Sequence, residues 1–135
     1  MNLKASMCQL AERIDGRFVE YSNDTNIILI PIDRSHCQAV ISQLVHKNGE
    51  IVVEFSSKAG ELNAGKENHQ VILKINQELF YSKVVIQEWQ LNVSAEVLLS
   101  NCTDQLIKDV ILEVATLAHH LDHQEVTSTI EVEKV

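Results

Sequence analysis

The chain has 135 residues, 45% of them apolar but only 4% aromatic, and a net charge of -8. That length bounds it to one domain with one real core, and the scarcity of rings makes the core aliphatic and weakens any case for stacking on single-stranded nucleic acid. The acidic balance opposes DNA, RNA and anionic membranes alike, because the eleven Lys and Arg residues are scattered rather than clustered.

Cys8, Cys37 and Cys102 are odd in number and far apart, with no CxxC pair. They do not read as a disulfide framework, and neither a signal peptide nor a membrane-spanning apolar run is evident. The expectation is a cytoplasmic protein whose cysteines are small buried hydrophobes.

In chain order, residues 2–15 place Leu3, Met7, Leu10 and Ile14 on one helical stripe, with Gly16 as the stop. Arg17 to Tyr21 reads as a short strand, followed by the turn chemistry of Ser22 to Asn26. Ile27 to Ile30 is a continuous apolar run, which predicts a strand covered on both faces, and Pro31 favours an edge or a strand end. Residues 35–47 fit two readings. Cys37, Val40, Ile41, Leu44 and Val45 suit a helical face ending at an Asn48-Gly49 cap. They also suit a strand turning at Asn48-Gly49 as a type I′ hairpin, which would set Lys47 opposite Glu50. We read the hairpin, leaving the helix as the alternative. Ile51 to Phe55 is its second strand.

Ser56 to Gly65 reads as a loop, and 67–80 as a helix with Val71, Ile72, Ile75 and Leu79 on one face and Leu73 and Phe80 on another. A helix apolar on two sides needs two partners, the sheet and a second surface. From 83 to 99, Trp89, Leu91, Val93, Ala95 and Val97 alternate with polar residues, the period of a half-buried strand, and a turn at 87–90 would make it a hairpin. The last helix is capped at Asn101 or Thr103, with Asp104 in its first turn. Leu106, Ile107, Val110, Ile111, Val114, Leu117, Ala118 and Leu121 form its apolar face, and Leu112 falls on the polar side. These elements define an α+β domain over 1–123, an antiparallel sheet with N-terminal, middle and C-terminal helices packed on it, and an acidic, frayed tail over 124–135.

No residue pattern specifies catalysis. His119 and His123, at i and i+4, are the one metal-ligand spacing, on a face expected to be exposed; the competing account is that last-turn histidines complement the helix dipole. His36 and Cys37 have the residue types of a base and a nucleophile, but neighbours on a strand point to opposite faces. Cys102, at a helix start, is a reactive thiol only if it escapes burial. Gly60 and Gly65 fit no phosphate-loop spacing. Glu54 and Glu96 are strand carboxylates with no cleft predicted between them.

Two blocks carry a resemblance. Arg34-Ser35 through Gln38-Ala39-Val40, with Glu54-Phe55-Ser56-Ser57-Lys58-Ala59-Gly60, is similar to a strand pair ending in a Ser-x-x-Gly step before a middle helix. Val93 to Leu99 is similar to a strand leading into a last amphipathic helix. Over residues 2–123 the chain resembles the type III secretion chaperone-like fold, the CesT/YbjN group of small bacterial proteins. The resemblance implies a protein-binding role and, in the secretion chaperones, a homodimer holding unfolded partner segments on apolar patches. The expectation is therefore a non-enzymatic interaction module, chaperone- or adaptor-like, using Val71, Ile72, Leu73, Ile75, Phe80 and the outer sheet surface. No cofactor, nucleic acid or membrane is expected, and the alternative is metal or small-molecule binding through His119 and His123.

Overall fold

A computed structural model describes residues 2–61 and 66–123, less the side chains of 61, 66–68 and 123. The tail over 124–135 and Gly65 lie outside the described residues. Helix α1 (Leu3–Arg13) leads into strands β1 (Arg17–Glu20), β2 (Thr25–Pro31), β3 (Cys37–Lys47) and β4 (Glu50–Glu61). Helix α2 (Lys66–Glu78), the hairpin β5 (Lys83–Gln87) and β6 (Gln90–Leu98), and helix α3 (Asp104–His123) follow. The six strands form one antiparallel sheet in the order β1-β2-β3-β4-β6-β5. This is the expected α+β architecture with its three helices.

Local chemistry explains most element ends. Asn2 caps α1, its Oδ1 accepting from the Ala5 N–H at 3.1 Å. The same helix stops in a left-handed turn at Asp15, φ 58°, where the Asp15 and Gly16 N–H groups return to Glu12 O and Ala11 O. Gly16 is thus not the residue with positive φ. It is needed because a Cβ there would lie 2.4 Å from the Leu29 carbonyl oxygen. Asn48 and Gly49 have φ of 51° and 79° and Lys47 pairs with Glu50, so the hairpin reading of 35–47 holds. Glu88 and Trp89, φ 49° and 72°, turn the second hairpin. Thr103 Oγ1 caps α3 by accepting from Leu106 N–H at 3.1 Å.

One sheet face packs on α1 and α3. Ile28, Ile30, Val40, Val53, Phe55, Val93 and Ala95 meet Met7 and Leu10 of α1 and Ile107, Val110, Ile111, Val114 and Ala118 of α3. A buried polar seam runs through this face. Gln38 Nε2 donates to Ser57 Oγ and to Lys58 O, each at 2.8 Å, and Ser57 Oγ donates to Ala39 O at 2.6 Å.

Several expectations are corrected. Ser56 to Glu61 is strand, not loop. The Ser57 hydrogen bonds and the pairing of Ser57 and Lys58 with Val93 and Asn92 outweigh the poor strand propensity of Ser-Ser-Lys-Ala-Gly. The irregularity comes later, between Lys58 and Glu61, where β4 has an extra residue opposite β6 and Gly60 takes φ 99°. Strand β2 buries Asn26, Ile28 and Ile30 but leaves Ile27 and Leu29 half-exposed, so it is covered on one face only. Trp89 sits exposed in the β5–β6 turn rather than in the core. Leu112 packs against the core edge instead of standing alone in solvent. Of the cysteines only Cys102 is buried; Cys8 is intermediate and Cys37, at the start of β3, is exposed. Among the described residues no helix is long and apolar enough to cross a membrane.

Candidate functional surfaces

Strand alternation sends Val19, Ile27, Leu29, Ala39, Ile41, Val45 and Val52 to the sheet face opposite the helices. Register makes them neighbours. Val19, Ile27 and Ile41 form one row across β1, β2 and β3, and Val45, Val52 and Leu98 form another across β3, β4 and β6. Val19 and Ile41 are each about 40% exposed and Leu98 38%, whereas Val52 is buried at 7% by its neighbours. No described element covers this face.

A polar row, Gln43-Glu54-Glu96, runs between these two aliphatic rows. Glu54 and Glu96 stand directly opposite each other, and Lys47 Nζ bridges them at 3.3 Å and 2.7 Å. Their hydrogen bonds hold the lysine pKa above its ordinary value, and the Lys47 hydrogen bond holds Glu96 below its own. This arrangement keeps Glu96 ionised instead of poising it as an acid. Beside it a groove of about 430 Å³ is floored by Ser56, Asn92 and Ser94 and walled by Lys83, Val85 and Gln87.

The middle helix divides the expected interface residues. Val71 and Ile72 are buried in the core, and Ile75 is half-buried at its edge. Leu73 is exposed, and Phe80, just beyond α2, is 90% exposed next to Tyr81. The helix spends its strong apolar face on the core because it closes the β5 end of the sheet.

His119 does not point away from the fold. Its ring is half-buried and lies 5.4 Å, centroid to centroid, from that of His36, at 56° between planes; its Nδ1 is buried. His36 closes the loop between β2 and β3. Its carbonyl accepts from the Ile32 and Asp33 N–H groups, and its Nδ1 lies 2.8 Å from Asp33 Oδ1. Asp33 also accepts from the Ser35 N–H at 2.9 Å. That bond first, and the His36 hydrogen bond second, draw its pKa down to about 2. The carboxylate is therefore ionised and His36 donates to it. One ligand atom from each of Asp33, His36 and His119 lies within 4.8 Å of the others, the one such group among the described residues. The side chain of His123 is outside the described residues.

Sequence spacing missed this cluster because its members come from a loop and a helix distant in the chain. The local signal was Asp33-x-x-His36 in a turn rich in hydrogen-bonding side chains. The α3 end also lies on β4, where Asp122 Oδ1 would be 2.7 Å from any Cβ at Gly60. Cys102 is buried, and desolvation pushes its thiol pKa up, which removes it as a reactive nucleophile. No protein-family model matches the chain, and no curated protein shows detectable similarity to it.

Proposed function

We propose that this protein is a non-enzymatic protein-interaction module, chaperone- or adaptor-like, that takes a protein partner on the open face of its sheet. One observation carries the reading: helices cover a single face, and the other carries two aliphatic rows, Val19-Ile27-Ile41 and Val45-Val52-Leu98, with the polar row Gln43-Glu54-Glu96 between them. Exposed aliphatic side chains such as Val19 and Ile41, set beside the charges of Lys47, Glu54 and Glu96, suit a surface that takes a protein partner. A second copy of the chain is one occupant of that face, giving a homodimer; an extended segment of another protein is the other. The resemblance to the type III secretion chaperone-like fold supports the same role, and the acidic charge disfavours nucleic acid and anionic membranes as partners.

The test pairs sedimentation velocity of the purified protein with affinity capture from its native extract, using the wild-type chain, Ile41→Glu with Val19→Glu, and Leu73→Ser with Phe80→Ser. The reading expects self-association or a reproducible captured protein in the wild type, lost in the sheet variant while its circular dichroism is retained. A wild-type monomer that captures nothing would overturn it. Loss in the Leu73/Phe80 variant alone would move the interface to α2.

A further inference from the structure

We propose that Asp33, His36 and His119 form a binding site for a borderline divalent transition metal ion, with Zn²⁺ as the test ion. Two imidazoles and one carboxylate are a donor set for zinc, cobalt, nickel or copper, whereas calcium and magnesium require all-oxygen surroundings. Three protein ligands leave room for water or a further ligand on the ion, the pattern of an open rather than a closed site.

The geometry is largely set in advance. The β2–β3 loop is closed on the His36 carbonyl by two N–H groups, and the Asp33 carboxylate is fixed by the Ser35 N–H. His119 comes from the far end of α3, which is anchored on the sheet by buried Ala118 and Leu121 to either side of it. A tetrahedral ion with bonds of about 2.1 Å needs ligand atoms about 3.4 Å apart. The present separations, up to 4.8 Å, require a contraction that the Asp33 and His36 side chains can supply, since about half of each is in solvent. Binding would take the place of the proton shared between His36 Nδ1 and Asp33 Oδ1. A net charge of -8 raises the local concentration of cations around the whole surface. The competing account is a hydrogen-bonded turn with a histidine ring packed on it. It predicts no stoichiometric ion.

The full chain, stripped with chelator, is titrated with Zn²⁺ against a chromophoric competitor, and with Co²⁺ followed by its visible absorption. One ion per chain is expected, with affinity falling roughly tenfold or more in His36→Ala and in His119→Ala. Affinity should be unchanged in His46→Ala, an exposed histidine at the far end of β3, and in His123→Ala. In wild-type protein the imidazole resonances of His36 and His119 should shift together as zinc is added, a readout that holds even if a variant fails to fold. Absence of stoichiometric binding, unchanged affinity in His36→Ala, or a loss confined to His123→Ala would each overturn the site. The last of these would assign the ion to the final helical turn. The open sheet face takes no part, so this outcome and that of the partner experiment are independent.

Discussion

Asn76 of α2 treats Val84 of β5 as a neighbouring strand would: its Oδ1 accepts from the Val84 N–H at 2.7 Å and its Nδ2 donates to the Val84 carbonyl at 3.1 Å. Strand β5 is the last in the sheet, and its outward backbone groups would otherwise offer pairing to another chain. One side-chain amide satisfies both groups of Val84, the second residue of the edge strand. Asn76→Leu should therefore cost about 1–3 kcal/mol and speed amide exchange at Val84 above that at Val93, on the interior strand. Hydrogen exchange by NMR checks it, and equal protection at Val84 in both proteins would remove the clasp.

Glu113 does the corresponding work for the segment between α2 and β5. Its Oε1 accepts from the Tyr81 N–H at 3.1 Å, the Ser82 N–H at 2.9 Å and the Ser82 hydroxyl at 2.5 Å. Burial on its own raises the Glu113 pKa, but the Ser82 and Tyr81 hydrogen bonds outweigh it and leave the carboxyl below the ordinary glutamate value. A depressed folded-state pKa means that the group stabilises the fold above its unfolded pKa. That contribution disappears as pH falls through the folded value. Urea denaturation should show Glu113→Gln less stable than wild type at neutral pH, with the gap narrowing in acid. A gap independent of pH would show that the charge contributes nothing.

Two glycines should respond to alanine for different reasons. At Gly16 a Cβ would lie 2.4 Å from the Leu29 backbone oxygen, so β2 must shift away from the α1–β1 corner. A loss of about 1–3 kcal/mol is expected. At Gly49 no atom lies within 4 Å of the added Cβ, but φ is +79°. Gly49→Ala should cost about 1–2 kcal/mol through backbone strain alone, and Gly49→Asn distinctly less, because asparagine tolerates that region. Thermal denaturation of the three variants separates crowding from conformation.

The α2 segment gives a further contrast. Ile72 is buried in the core, so Ile72→Ala should lose about 2–5 kcal/mol. Phe80 is 90% exposed, and Phe80→Ser should change stability by no more than about 0.5 kcal/mol. Chemical denaturation decides the matter. A large loss at Phe80 would mean that the side chain is covered in solution, as it would be in a dimer.

What the sequence determined by itself was whatever rests on neighbours in the chain. The stripe of Leu3, Met7 and Leu10 and the alternation of Leu91, Val93 and Ala95 follow from periodicity and were legible. The Asn48-Gly49 turn and the α3 cap were each narrowed to two readings, hairpin or helix end and Asn101 or Thr103, of which the fold chose the hairpin and Thr103. The side of α2 that packs inward, the strand character of Ser56 to Gly60 and the bare outer face around Ile41 were decided only by tertiary structure. They depend on which element lies opposite, and residue spacing carries no information about that. The same holds for Asp33, His36 and His119. The i, i+4 spacing of His119 and His123 pointed along the helix, but the packing of α3 across the sheet turned His119 toward a loop that the chain had left many residues earlier. Ligand geometry is a property of three-dimensional distance, and only the fold supplies it.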